Sequence, residues 1–505
     1  MQISSQMKNK IIFWLGAELT HFCIAYALQK QFNADYYAVI DITKKPKVFF
    51  QKQELVKFDK VWYFFDHVKK QNKKPDYNYL SNFEKKYGIN LWKLAINERI
   101  FYRFYNFHKF TSEQICSILE QECKLYEKIL DDIKPDFLIT KDASRHHHQL
   151  FIELCEARGV KNIVLSRTTL GYKIILSKES HIFDNIDDFR SIQSKGRNFK
   201  ELQEYLQSFS FLKSVTKTFE KRKNMQTISG AKNYLFSDNH ENLEQYYYFG
   251  RTKFNVIKYQ ITSSINSRLR KNFLDKHSVY NPDYNVPFAY FPLHVDMERP
   301  LLIGAPFFTN QIEVIRHIIK SLPVGIRLYV KESPAAITRD FRKISDYKEI
   351  LNIPNVTFIH PSVPAKDLFE NCLMVFSIAG TSGFESAFYQ KPSIVFSDVG
   401  YLALPSVRRV KTIENLPLMI NESLQTHVKS DDLDKFLQFM DKNTIDFDWY
   451  GFEVEQQNIF YHGGILIDVD IPISHMKEFL EKHNETLNNL AAHHIEKINS
   501  YKNNL

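Results

Sequence analysis

Glycine is scarce in this chain, 15 of 505 residues. Its main use is to let backbone pass where a Cβ cannot, so the closely spaced pair Gly380 and Gly383 stands out. Gly16 stands alone after the first apolar run, which excludes a G-x-G-x-x-G dinucleotide fingerprint there. The five cysteines (Cys23, Cys116, Cys123, Cys155, Cys372) are scattered with no C-x-x-C. A disulfide framework and a zinc ribbon are thereby excluded, and a reducing compartment fits. No apolar run reaches the roughly 18 residues of a membrane span. Lys8, Lys10 and IIFWLGA imitate the start of a signal peptide, but Glu18, Thr20 and His21 break the run and no cleavage site follows. The expectation is a cytoplasmic protein, at most peripheral at the inner face of the cell membrane. Zinc-finger spacing, a recognition-helix pattern and an RNP-like aromatic motif are all missing, so nucleic acid is not an expected partner.

Hydrophobic residues make up 44% of the 505, enough to bury at least two cores. Most of the 42 Phe and 27 Tyr must be core. The net charge of +9 is spread unevenly. From Lys213 to Lys276 there are 13 Lys/Arg against 5 Asp/Glu, and from Asn421 onward 7 against 15. The basic segment 213–276, with Phe219 among Lys217, Lys221, Arg222 and Lys223, faces either the acidic tail or an anionic surface such as lipid or an acidic glycan.

Short apolar runs alternate with helical periodicity along much of the chain. Lys10 to Gly16, Ala34 to Asp41, Val61 to Asp66, Asp136 to Thr140 and Asn162 to Ser166 read as strands. Between them lie helices, one opened by a Thr111/Gln114 capping box and one stopped by Gly159. Residues 196–285 are mainly helical. The alternation resumes with strands at Phe288–Leu293, Leu301–Ala305, Ile326–Lys331, Val356–Ile359, Met374–Ala379 and Ser393–Phe396. The last 85 or so residues read as acidic helices around one apolar strand, Gly464–Val469. Such alternation implies parallel sheets with helices on their faces. The domain assignment is 1–195, an α/β acceptor-side domain; 196–285, a basic connector; 286–420, an α/β nucleotide-sugar domain; and 421–505, an acidic helical segment.

Two stretches carry chemistry. Gly380-Thr381-Ser382-Gly383 leads from a strand into a helix, with Ser382 and Glu385 spaced as a capping box. A bare turn at a helix start offers backbone N–H groups and a positive dipole end to an anion. The second stretch is Lys141-Asp142-Ala143-Ser144-Arg145-His146-His147-His148. Neighbours on a helix diverge by about 100°, so three consecutive histidines are not expected to share one metal ion. A solvated loop and helix start is the expectation, with Asp142 or one histidine open to acceptor binding or base work.

Two α/β halves and a connector suggest the GT-B architecture: two Rossmann-like parallel-sheet domains facing a cleft, with helical connector and C-terminal segments. The segments FPLHVDMERP, QIEVIRHIIKSLPVGIRLYVKESP and NVTFIHPSVPAKDLFENCLMVFSIAGTSGFESAFYQKPSIVF resemble the capsular-polysaccharide biosynthesis proteins, relatives of bacterial Kdo transferases and sialyltransferases. The match spans about residues 288 to 400. The resemblance implies a metal-independent glycosyltransferase with no cofactor beyond a CMP-linked sugar donor, and a surface glycan or lipid-linked glycan as acceptor. It places donor phosphate and ribose on Thr381, Ser382 and Gly383, with Gly380 before them and Glu385 behind. The family's K-x-H-P element falls on Lys331, Glu332, Ser333 and Pro334. Serine replaces histidine there, still a hydrogen-bond donor but without charge or acidity. Lys331 or Arg339 is then expected to supply charge, and His294 and Glu298 are placed at the cleft. An acceptor hydroxyl needs a base, for which Glu18, past the first strand, and Asp142 are the candidates. Two other functions share the fold: a catalytically lapsed protein binding glycan or a partner transferase, and a sugar-nucleotide epimerase.

Overall fold

A computed structural model describes residues 8–70, 73–170, 173–208, 234–236, 240–333, 342–464 and 466–503. Two sheets organise them. The first contains β1 (Asn9–Gly16), β2 (Ala34–Asp41), β3 (Lys60–Tyr63), β4 (Phe137–Lys141), β5 (Lys161–Arg167) and β6 (Lys173–Ser177). The second contains β7 (Phe288–Pro292), β8 (Arg327–Lys331), β9 (Val356–Ile359), β10 (Met374–Ser377), β11 (Ser393–Val395) and β12 (Val407–Arg409). One more strand, β13 (Ile445–Asp446), returns from the C-terminal segment to the first sheet. The orders are β13-β6-β5-β4-β1-β2-β3 and β12-β11-β10-β7-β8-β9. The second sheet is parallel throughout, and the first is parallel except where β6 pairs with β5 and β13.

The central strands are apolar on both faces because helices cover both, as in doubly wound sheets. Ile11, Phe13 and Leu15 of β1 face one cluster, and Ile12 and Trp14 the other. The first cluster also holds Trp449, Phe452, Phe479, Leu487 and Tyr501, so the C-terminal helices pack on the first sheet. Two of the tail's acids pair with the first half, Asp441 with Lys173 and Glu453 with Arg167, and the tail's Lys497 pairs with Asp184 of that half. The helix Ser112–Ile133 opens with the expected capping box at Thr111 and Gln114.

Two expected strands are absent. Leu301–Ala305 is instead a helical turn, Arg299–Leu302, with Pro300 at its start, where a fixed φ favours a helix opening. Leu466–Val469 is irregular, with Asn242 bonded to Asp468 at 2.7 Å, while the strand of this region is β13. Both misplaced runs are short and apolar, and burial alone does not separate helix, strand and buried loop. The third strand also stops early, at Tyr63, and runs into a helix at Phe64–His67. Residues 213–233, including Phe219 and its flanking cations, and the expected helix start at Pro334 lie outside the described residues.

The two halves touch through a glycine. His181 of the first half has φ of +64°, and a Cβ at Gly400 of the second would overlap its carbonyl oxygen. Gly400→Ala should therefore destabilise the chain by about 2 kcal/mol, as steric overpacking does. Denaturant unfolding of both proteins checks this, and an unchanged midpoint contradicts the packing.

Candidate functional site

In a doubly wound sheet, ligands bind beyond the carboxyl ends of the strands where strand order reverses. The first sheet reverses between β1 and β4, which places Glu18 and Lys141-Asp142 at that crevice. The second reverses between β7 and β10, which places the His294–Arg299 loop beside the Gly380–Gly383 turn. The two crevices face each other. Arg299 Nε lies 3.6 Å from the Asp142 carboxylate, and Arg99 donates to the Met297 carbonyl at 2.7 Å. Between the halves lies a cleft of about 770 Å³, lined by Arg167, Lys178, Glu179 and His181 from one side and by His294, Glu298, Arg299, Ser333 and Gly380–Ser382 from the other.

Two guanidinium atoms on this wall are buried without a hydrogen-bond partner: Arg167 Nε and Arg299 Nε. Such atoms are uncommon in folded proteins. Around Asp142 the charges alternate, with His181 Nε2 at 3.4 Å and Arg299 at 3.6 Å. Burial pushes the Asp142 carboxyl up, but these two groups and Lys141 outweigh it and hold it well below the usual carboxylate range. Elsewhere in the cleft Glu179 is raised by burial and by neighbouring Glu156 and Asp398.

On the second half, Ser333 reaches the cleft but Lys331 does not. Lys331 Nζ donates to the Val363 carbonyl, and burial lowers its pKa to about 8. The expectation of phosphate charge from Lys331 is thus corrected: its ammonium is spent on a backbone carbonyl behind the site. Glu332 is locked by Arg342 and Tyr347, and Arg342 continues to Asp296 at 3.1 Å. Arg339 lies outside the described residues.

The glycine turn is built differently from its expected capping box. The helix Ser382–Phe388 starts after Thr381, whose hydroxyl donates to the Glu385 carboxylate, and no side chain caps the backbone. Its first N–H groups have no intrahelical acceptor. Gly380 is required because a Cβ would come within 2.7 Å of His294 Nε2. Gly383 is required by packing: a Cβ would meet the Tyr401 hydroxyl at 2.8 Å. Gly383 and Glu385 sit behind the cleft wall, whereas Thr381 and Ser382 form part of it.

A second pocket of about 480 Å³ adjoins Glu18 and is lined by Asp41, Arg99, Lys141, Arg145, Tyr248 and Arg251 among others. Glu18 Oε1 accepts from the Thr20 N–H at 2.9 Å, and Oε2 faces Lys141 Nζ at 3.5 Å. Burial disfavours the Glu18 charge, but Lys141 and His21 more than reverse this and hold its pKa far down. Glu453, reaching in from the C-terminal segment, is raised by burial and by Glu18, and pairs with Arg167 at 2.6 Å.

The histidine stretch is not a solvated loop. All three rings are buried. His148 stacks on Trp14 at 4.6 Å and contacts the Thr140 hydroxyl at 2.6 Å. His146 sits between Glu98 at 2.9 Å and Glu122 at 3.1 Å, and His147 meets Asp41 at 2.8 Å. Glu122, His146 and His147 each bring a ligand atom within 4.8 Å of one another. The expected divergence holds for His148, which turns to Trp14 and Thr140, but not for the neighbours His146 and His147. The helix begins at His146, and the His146 and His147 rings lie 5.4 Å apart at 81° to each other in its first turn.

Sequence reasoning missed Arg167, His181, Arg299 and Glu453. Arg167 ends β5, a carboxyl strand end that the topology rule could have flagged; the other three carry no local signal.

No family model and no curated protein matches the chain. Among solved structures it is similar to the UDP-GlcNAc 2-epimerase of Methanocaldococcus jannaschii, with 11% identity over 86% of this chain and 99% of that one and a TM-score of 0.24. It is also similar to the beta Kdo 2,7 transferase KpsC of Thermosulfurimonas dismutans, with 12% identity over 66% and 89% and a TM-score of 0.30. The UDP-GlcNAc 2-epimerase of Neisseria meningitidis bound to UDP-GlcNAc gives 12%, 86% and 100%, and a TM-score of 0.25. At scores this low the likeness does not reach activity or residue roles.

His294 supplies a pH test. Burial first, then nearby Arg342, lowers its pKa from 6.5 to about 4, and only Asp296 opposes them electrostatically. Between about 4 and 6.5 the unfolded chain binds the extra proton, so this contribution is complete above pH 6.5 and is lost as pH falls toward 4. His294→Gln should flatten the fall in melting temperature across that window relative to the parent. Parallel curves would contradict the neutral buried ring.

Proposed function

We propose that this chain is a GT-B-type glycosyltransferase, moving a sugar from a nucleotide-activated, CMP-linked donor to a surface or capsular glycan. What carries the proposal is the cleft between the halves, where the β7/β10 switch point of the second faces the end of β5 and the 178–183 loop of the first, with Arg167, Arg299 and His294 on its wall. A volume of about 770 Å³ is within the range of small-molecule sites. Cations and fixed donors are what a departing phosphate needs as charge moves onto it. In this reading Arg299 and Arg167 face the phosphate, and Ser333, Thr381 and Ser382 donate from the second half.

The acceptor enters at the smaller pocket, where Glu18 is the proposed base. Lys141 and the Thr20 N–H orient that carboxylate, and acceptor binding must loosen the lysine for the proton to be taken. Asp142 is assigned a positioning role, since it holds Arg299 and His181 in place across the cleft. A second reading is a sugar-nucleotide epimerase, whose chemistry needs carboxyl groups near the sugar that change protonation, and Glu179 on the cleft wall is the group that favours it.

These roles separate in kinetics. Glu18→Gln should lower turnover by about 100-fold or more while leaving CMP affinity within about twofold. Asp142→Asn should weaken CMP binding itself. Titration calorimetry with CMP and UDP, and release of CMP from CMP-sugars with acceptor present, are the measurements. Absence of nucleotide binding would overturn the proposal, and epimer formation without nucleotide release would favour the second reading.

A further inference from the structure

The helix Lys253–His277 turns a hydrophobic face outward. Phe254, Ile257, Ile261, Ile265 and Leu269 follow one another at steps of three and four, so at about 100° per residue they fall in one sector roughly 120° wide. Their exposures are 74, 43, 58, 52 and 52%. The opposite side holds the helix to the protein: Arg270 and Leu274 are buried, and Val256 and Tyr259 line the smaller pocket. Single exposed aliphatic residues are ordinary on protein surfaces, but five in one stripe along about 22 Å of helix are not.

Charge limits what can cover the stripe. Lys253, Lys258, Arg268, Arg270, Lys271 and Lys276 face a single acid, Asp275, along this helix. By the same angular count Lys258, Arg268 and Lys276 project from within the apolar sector, and all three are exposed. A second copy of the chain packed here would set cations against cations around an apolar seam. An anionic bilayer offers acyl chains to the stripe and negative headgroups to its cations at once.

We propose that the outward face of Lys253–His277 is a docking surface for an anionic membrane. The proposal names the residues that carry the expected attraction of segment 213–276 to anionic lipid. Docking there sets the smaller pocket, lined by the other side of the same helix, next to the lipid surface. Resting on the transferase reading, this further implies a lipid-linked glycan as the acceptor; the docking itself does not depend on that reading.

The full chain is sedimented with phosphatidylcholine vesicles and with mixed phosphatidylcholine–phosphatidylglycerol vesicles. Binding should favour the mixed vesicles and decline with salt. Ile261→Asp with Ile265→Asp should reduce the bound-to-free ratio about tenfold or more, with an unchanged melting temperature because both side chains are exposed. Lys258→Glu with Arg268→Glu should remove the preference for the anionic membrane. CMP affinity, measured in parallel, should be unmoved in both double variants, so a failure of docking and a failure of the donor reading are told apart. Equal binding to both vesicle types, binding to neither, or full binding by the aspartate variant would overturn the proposal. So would a dimer in light scattering that the aspartate variant dissolves, which would make this face a contact between copies.

Discussion

Asp142 is held by both halves of the molecule at once. Its backbone N–H donates to Leu165 at the end of β5, and its carboxylate faces His181 from the first half and Arg299 from the second. A carboxylate taken largely out of water is costly unless cations surround it. Here Lys141 comes from the first half and Arg299 from the second, so the charge is fully satisfied only when the halves sit as they do. The rest of the cleft follows. Arg299 is carried on the turn after β7, His294 on the same loop lies against Gly380, and Gly400 leaves room for the His181 carbonyl.

This arrangement has a chemical consequence. On the proposed reading, the groups that would meet a leaving phosphate are held by ion pairs and burial before any ligand arrives, so little reorganisation would remain. The carboxylates beside them are held ionised by the same cations, which makes them good anchors and weak bases until a cation is drawn away. Glu18 with Lys141 and Asp142 with Arg299 are the same device at adjacent strand ends. On the proposed reading, an anionic donor entering the cleft would compete with Asp142 for Arg299.

Much of the fold was legible in the sequence, because the alternation of apolar runs with helical periodicity is a direct record of a sheet covered on both faces. Ten of the strands, β13, β6 and β12 being the exceptions, coincide at least in part with runs picked out by pattern. The turn at 380–383 was visible through its two glycines, although their cause is close packing against His294 and Tyr401 and not a left-handed backbone. The partners of the site were not legible. Arg299 opens a helical turn just before a run that reads as a strand, Glu453 arrives from the far end of the chain, and His181 stands at a +64° φ. The buried histidines failed for a related reason: polarity suggests solvent, and only tertiary structure supplies Glu98, Glu122 and Asp41 to pay for burying them.

The central claim is that the two halves together form one ligand site. Hydrogen exchange followed by mass spectrometry, with and without saturating CMP, addresses it most directly. Peptides covering 140–145 and 178–183 in the first half, and 292–300 and 378–384 in the second, should all slow together. Protection confined to one half, or protection at neither, would contradict a shared site.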